Sequence, residues 1–343
     1  MSDFLLLAGQ LALIAAIAGA VSYALIAILG PFLARYALAQ PNARSSHKEA
    51  TPQGGGIAVI GAVIAVTGGV CLAIPELMNE PRRLAAIMGA VIVLVFVGAI
   101  DDVRPLGPTS RLLLQIAAAI LVVAAIPTEL RPINFLPWWL ERALILLACV
   151  WFINLVNFMD GIDWMTVAEV VPLTAGLVFF GLIGELPTTA TVIAAALFGA
   201  IIGFAPSNRP VARLFLGDVG SLPVALMLAW MLVLLAVNGH LVAAFLMPLY
   251  YLADATLTLV WRIAKGRPVA QAHRDHFYQR AIDGGRGIYR VIGPVFAVNI
   301  VLVALAASSV NSSTAYQLLL IALGLAIVGA LLWSLADPKR SKQ

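Results

Sequence analysis

Eleven runs of nearly unbroken apolar residues, near positions 4–30, 55–75, 84–100, 111–127, 138–153, 167–184, 188–205, 221–238, 241–264, 288–309 and 314–335, fix what this chain can fold into. A helix needs about 20 mostly apolar residues to cross the hydrocarbon of a bilayer, and runs of this length meet that need. Composition agrees: 62% of the 343 residues are hydrophobic and 11% charged, whereas a soluble domain carries roughly 45–50% and about 25%. No soluble interior could hide so much apolar surface. The runs are continuous and rich in Leu, Ala and Ile, not alternating over about 10 residues as the strands of a membrane barrel do. The expectation is an all-α polytopic integral membrane protein with about 11 transmembrane helices. The first run lacks a basic leader and exceeds the roughly 7–15 apolar residues of a signal peptide, so it is expected to stay as a helix.

Basic residues in short loops are retained on the cytoplasmic side of a membrane. With the N-terminus outside and the C-terminus cytoplasmic, seventeen of the 21 Lys and Arg residues fall inside, leaving Arg82, Arg83, Arg131 and Arg142 outside. One membrane domain then covers 1–343, with cytoplasmic loops at 31–56, 101–110, 154–166, 206–220 and 265–287. The net charge of +4 describes one basic face suited to anionic lipids and phosphates, not a nucleic-acid binder. Cys71 and Cys149 lie in apolar runs without any CxxC pattern and read as small buried residues.

Polar residues gather in the five cytoplasmic loops, and each cluster suits phosphate or cation chemistry. The first carries Arg44, His47 and Lys48 ahead of Gly54-Gly55-Gly56. Glycines entering a helix let backbone N–H groups approach an anion; the alternative is a glycine-rich turn whose basic side chains reach along the membrane edge. The second opens on Asp101-Asp102, followed by Arg104 and Arg111. A helix C-terminus disfavours carboxylates, so the pair needs a reason, such as gathering a cation. In the third, Asn154, Asn157 and Asp160 recur at three-residue spacing, which on a helical turn places them near one face, and Asp163 follows. Oxygen ligands of this kind suit Mg2+, which keeps several waters and is completed by substrate phosphates. The fourth presents Asp218 after Gly217 at the start of a helix, and the fifth mixes His273, Arg274 and His276 with no cysteine to suggest zinc. Asp254, inside the ninth run, is expected to neutralise Arg262, and His240 to be a solvated loop residue on the opposite face.

Taken in series, RSSHKEATPQGGG from Arg44, GAIDDVRPL from Gly98, NLVNFMDGID from Asn154, FLGDVGS from Phe215 and HRDHFYQ from His273 resemble the polyprenyl-phosphate N-acetylhexosamine-1-phosphate transferases, bacterial glycosyltransferase family 4. The resemblance implies that undecaprenyl phosphate attacks the sugar-proximal phosphorus of a UDP-N-acetylhexosamine, releasing UMP and forming the first lipid-linked intermediate of a cell-surface polysaccharide. It implies Mg2+, with Mn2+ as a substitute, held by Asn157 and Asp218. Asp101, Asp102 and Asp218 would be catalytic, the first two orienting or deprotonating the lipid phosphate. Arg44, His47, Lys48, Arg111, Asn154, Asp160, Asp163, His273, Arg274 and His276 would bind substrate, with Asp163 on the uracil side and Arg274 and His276 clamping diphosphate and sugar. The implied setting is the bacterial inner membrane with a cytoplasmic active site among membrane lipids, no nucleic acid, and room for a homodimer.

Three departures stand out. Trp164 occupies a position where many relatives carry Gly, and Pro223 interrupts the usual helix start after the GDxGS-like motif. Tyr278-Gln279 replaces two further histidines of GlcNAc-1-phosphate enzymes, which is similar to transferases of the O-antigen-initiating type for 6-deoxy sugars such as N-acetylfucosamine or N-acetylquinovosamine. The rival class is a polytopic transporter or lipid flippase. Transporters place substrate residues near mid-bilayer on broken helices, whereas these polar clusters lie at helix ends.

Overall fold

The computed structural model describes residues 2–39, 50–78, 80–133, 135–268 and 273–336. Among them are thirteen α-helices: α1 (Ser2–Tyr36), α2 (Gly55–Ala73), α3 (Pro81–Val103), α4 (Pro108–Ala124), α5 (Trp138–Met159), α6 (Met165–Leu182), α7 (Thr188–Phe204), α8 (Asp218–Val237), α9 (Leu241–Leu246), α10 (Leu249–Ala264), α11 (Phe277–Asp283), α12 (Ile288–Ser308) and α13 (Thr314–Ala336). A two-residue antiparallel pair, β1 (Leu38–Ala39) with β2 (Thr51–Pro52), is the sheet among the described residues. The described residues are thus nearly all helical, and among them eight helices are long and apolar enough to cross a membrane; α4 and α7 are apolar but shorter, at 17 residues each.

Every apolar run becomes helix, with instructive differences at the edges. Run 241–264 is split into α9 and α10 at Met247-Pro248, because Pro248 has no N–H to continue the ladder. Helix α5 continues past 153 to Met159, so Asn154 and Asn157 stand on its last turns and not in a loop. Helix α8 begins at Asp218 and runs through Pro223. The short helix α11 lies inside what reads as a loop in the sequence.

Helix α8 is the hub. Its most apolar 18-residue stretch is 94% buried, against 28–67% in the other seven candidate spans, so neighbours surround it on all sides. Two of those neighbours come close because side chains are missing. A Cβ on Gly56 of α2 would stand 2.1 Å from Gly220 Cα, and one on Gly98 of α3 would stand 2.3 Å from the Asp218 carbonyl oxygen. A second seam joins α1 to α7, where a Cβ on Gly199 would meet Ala15 O at 1.9 Å and one on Gly203 would meet Gly19 O at 2.2 Å. Small residues four apart let helix backbones touch, the packing mode available where lipid supplies no hydrophobic drive between helices. Between α6 and α12, Asn299 Nδ2 donates to Glu169 Oε2 at 2.7 Å and to the Ala168 carbonyl oxygen at 2.9 Å, which keeps a buried carboxyl group partnered.

Ties between loops sort the helix ends into two groups. Gln53, Asp102, Asn157, Asp218 and Tyr278 bond across segments at one end, while His240 Nε2 and Glu185 Oε2 meet at 2.7 Å at the other. His240 is therefore paired and not simply solvated. The close α1–α7 seam gives a test of packing. Gly199→Leu must push α1 off α7, and overpacking of this kind costs about 1–3 kcal/mol; Gly68→Leu, where a Cβ meets nothing within 4 Å, is the control. Thermal denaturation in detergent should show a lower midpoint for the first variant alone, and equal midpoints would contradict the seam.

Candidate active site

The site is built on the first turn of α8. Gly217 precedes it with φ +76°, in the left-handed region that favours glycine. A Cβ there would also stand 2.5 Å from Asp102 Oδ2. The space is used by the Asp102 carboxylate, whose Oδ1 accepts the Asp218 N–H at 2.9 Å and whose Oδ2 accepts the Val219 N–H at 3.1 Å. An anion misplaced at the C-terminus of its own helix α3 is thereby well placed at the N-terminus of α8, where the orphan amides and the helix dipole favour it. Gln53 Nε2 donates to the Asp102 carbonyl oxygen at 2.7 Å and secures the same corner.

Asp101 and Asp102 face different partners. Asp101 Oδ1 accepts the Leu106 N–H at 2.5 Å and its Oδ2 accepts Arg111 Nη1 at 3.1 Å, while Asp102 faces α8. Arg111 Nη1 lies 3.6 Å from Asp218 Oδ2 and so stands between two carboxylates. On the other side Asn157 Nδ2 donates to Asp218 Oδ1 at 2.7 Å and to Ser221 Oγ at 2.9 Å. Asp218 thus meets α4 through Arg111 and α5 through Asn157, and its side chain keeps 26% exposure, enough to be reached by a ligand. Among the described residues no three His, Cys, Asp or Glu side chains converge as a metal cage. Asp218, Asp101 and the amide oxygen of Asn157 offer instead a partial set of hard oxygen ligands, which fits an Mg2+ ion that keeps waters and is completed by substrate phosphates.

Other expected site residues take different parts. Asn154 donates to Gln115 Oε1 at 2.7 Å and to the Val150 carbonyl oxygen at 2.8 Å, so it joins α5 to α4 and does not share a cluster with Asn157 and Asp160. Asp160, just past the end of α5, accepts from Thr166 Oγ1. Burial raises its carboxyl to about 6, with the Thr166 hydrogen bond opposing and the charges of Asp102 and Asp163 adding to the rise. Asp163 is buried and its Oδ2 accepts the Ala212 N–H at 2.9 Å, which ties the α5–α6 turn to the segment leading into Asp218. Trp164 adds to this tie through N–H to Asn208 Oδ1 at 2.8 Å and Nε1–H to the Ala205 carbonyl oxygen at 2.7 Å. Its φ of +62° explains why glycine suits this position, and the two bonds offset the strain of a tryptophan there. The glycine triplet does not cradle a phosphate with the amides of Gly55 and Gly56. Those N–H groups donate to Phe215 O at 2.9 Å and Leu216 O at 2.8 Å, so the triplet serves close packing on α8. Arg44, His47 and Lys48 lie outside the described residues.

The fifth loop folds over the end of α5. Tyr278, fully buried, donates its hydroxyl to the Phe158 carbonyl oxygen at 3.0 Å, and Phe158 lies 6.4 Å between ring centroids from both His273 and His276. Arg274 pairs with Asp283, Nη2 to Oδ1 at 2.6 Å and Nε to Oδ2 at 3.2 Å. Asp254 does not neutralise Arg262, which instead pairs with Asp275 and donates to the Pro268 carbonyl oxygen at 2.5 Å. Of the partners, Gln115 and Thr166 are single polar residues outside every motif, while Gln53, Asn208 and Ser221 lie in or beside the loop segments without a role assigned from the sequence.

The glycosyl transferase family 4 model matches residues 84–236, a span that holds Asp101, Asp102, Arg111, Asn157 and Asp218. The chain is 25% identical over 307 residues to a probable undecaprenyl-phosphate N-acetylglucosaminyl 1-phosphate transferase of Bacillus subtilis, covering 82% of this chain and 83% of that protein. It is 28% identical over 322 residues to the decaprenyl-phosphate N-acetylglucosaminephosphotransferase of Mycobacterium leprae, covering 82% and 79%. It is 28% identical over 241 residues to a phospho-N-acetylmuramoyl-pentapeptide-transferase of Streptococcus agalactiae, covering 62% and 70%. These matches, joined to a polytopic helical fold and to loop motifs whose described residues meet at one end of the bundle, make the chain similar to glycosyl transferase family 4 and to polyprenyl-phosphate N-acetylhexosamine-1-phosphate transferases.

Proposed function

We propose that this protein transfers an N-acetylhexosamine 1-phosphate from a UDP-sugar to undecaprenyl phosphate in the bacterial inner membrane, with the site on the cytoplasmic side. The observation that carries the reading is the convergence of Asp101, Arg111, Asn157 and Asp218 from four helices or helix ends onto one reachable carboxylate. Names of the relatives support the polyprenyl phosphate acceptor and the amino-sugar phosphate cargo. The excess of basic residues on the site side supports its cytoplasmic orientation and the eleven-span, N-outside arrangement.

In the reaction a lipid phosphate oxygen attacks the sugar-proximal phosphorus of the donor, the bond from that phosphorus to UMP breaks, and UMP leaves as the lipid diphosphosugar forms. Asp218 and Asn157 would hold Mg2+, which on binding supplies charge neutralisation for the diphosphate. Arg111 offers a guanidinium for phosphate oxygens, in the orientation that Asp101 sets by accepting from it. A lipid phosphate is already largely ionised near neutral pH, so Asp101 need not act as a base; holding Arg111 suffices. Asp102 acts by fixing the first turn of α8. Asp160, Asp163 and Asn154 act by ordering the α5–α6 turn and the α4–α5 contact beside the donor.

The donor is a 6-deoxy-N-acetylhexosamine in the finer form of this proposal. Support comes from Tyr278, whose hydroxyl proton is donated to Phe158 O, so position 278 holds no spare donor for a sugar 6-hydroxyl. A buried hydroxyl left unpaired costs about 1–3 kcal/mol, roughly 5- to 150-fold in discrimination. The expected outcome is a higher kcat/KM for a UDP-activated 6-deoxy-N-acetylhexosamine than for UDP-GlcNAc, measured by UMP release; equal values would end the 6-deoxy reading while leaving the transfer reaction intact.

The reaction itself is tested with purified protein, undecaprenyl phosphate, Mg2+ and a panel of UDP-sugars. Asp218→Asn should retain the wild-type thermal midpoint and lose about 100- to 1,000-fold or more in turnover, the scale for removing one group that stabilises transition-state charge. Excess chelator should abolish wild-type turnover, and undiminished UMP release in chelator would contradict the metal assignment.

A further inference from the structure

Asp254 is a carboxyl group with 0% exposure inside α10, in a part of the chain that the transfer reaction as described does not use. Burying such a group is costly unless it is hydrogen-bonded, and residues of this kind at membrane depth mark function more often than not. Its natural neutraliser, Arg262, is spent on Asp275 and Pro268. What it meets instead is the start of α11. Oδ1 lies 3.1 Å from His276 Nδ1 and accepts the Phe277 N–H at 3.1 Å, and Oδ2 faces the Tyr278 N–H at 3.4 Å. The hydroxyls of Tyr250 and Thr258, one turn to either side on α10, face it at 3.4 Å.

A carboxyl group surrounded by donors acts as acceptor toward all of them, so the proton it shares with His276 sits on Nδ1. Nε2 is then the nitrogen left over. His276 is 2% exposed, and its Nε2 is buried without a partner among the described residues. The ring cannot turn to find one, because it is stacked on His273 at 5.0 Å and 28° and on Tyr278 at 5.8 Å and 23°. Phe158, the residue after Asn157, borders it. An unpartnered buried nitrogen next to Phe158, which follows Asn157 in the chain, is a group prepared for a ligand atom, since leaving it unpaired is otherwise unfavourable.

We infer that Asp254 is a positioning residue that acts through His276: it accepts from Nδ1–H, fixes the ring and leaves Nε2 to accept a hydrogen bond from a hydroxyl of the donor's sugar. Capping α11 alone would account for the contacts to the Phe277 and Tyr278 amides, but not for the histidine locked with its second nitrogen bare. The inference rests on the transferase reading, and one of its two tests does not need that reading to hold.

The first test is 15N-histidine NMR of the full chain in detergent, with the His276 signals identified by their loss in His276→Gln. Nδ1 should carry a proton in the wild type and Asp254→Asn should disturb that state; a ring protonated at Nε2 with Nδ1 bare would overturn the inference even in an inactive protein. The second is a double-variant cycle on transfer activity. Asp254→Asn should cost about 10- to 100-fold in kcat/KM, the scale for removing a carboxylate that orients a functional histidine. In a His276→Gln background the same change should cost nothing further, because groups acting as a unit are non-additive. Losses that multiply would show a separate structural role and overturn it. Should Asp254→Asn not be recovered folded, the wild-type spectrum alone decides.

Discussion

The carboxylate of Asp102 on the first two amides of α8 is the interaction on which the site depends. It turns an unfavourable feature into a favourable one. At the end of α3 an aspartate opposes the helix dipole, and at the start of α8 the same charge complements it. The cost and the gain belong to different helices, so the charge holds their ends together. Gly98 and Gly217 admit the contact, because a Cβ at either position would collide with the Asp218 backbone or the Asp102 carboxylate. Asp218 is therefore presented at a fixed point, and Arg111 and Asn157 reach it from α4 and α5.

Around this point the membrane imposes a rule: polar groups buried in a low-dielectric setting must find partners. The bundle obeys it with pairs that each join two elements, such as Glu169 with Asn299, Asn154 with Gln115, and Asp254 with the head of α11. These pairs bear on function by setting where helix ends stand. Trp164 and Asp163 do the same for the segment from Ala205 to Ala212, which leads directly into the turn at Gly217.

Much of the architecture is legible in the sequence because hydropathy states it: apolar runs become helices, and the loops rich in Asp, Asn, His and Arg share one end. Asp218, Asn157 and Arg111 could be picked out because each stands in a motif whose residue types suit a phosphate and a cation. Less legible was anything that depends on a partner distant in the chain. The division of labour between Asp101 and Asp102 follows from α8 lying beside α3, 116 residues on from Asp102, and no local pattern reveals that. The Gly54–Gly56 triplet looks like an anion cradle until the Phe215 and Leu216 carbonyl groups occupy its amides. Asp254 looks like a counter-charge for Arg262, eight positions further along the chain, until α11 folds onto it.

In the proposed reaction Asp218, held by this framework, would bind a divalent cation together with the donor diphosphate. Electron paramagnetic resonance of Mn2+ tests it most directly, using the full chain in detergent with and without a UDP-N-acetylhexosamine. The expected result is a protein-bound Mn2+ signal that shows phosphorus coupling when the donor is present and disappears in Asp218→Asn. Bound Mn2+ that persists unchanged in Asp218→Asn, or a donor that binds without any phosphorus coupling to the metal, would contradict it.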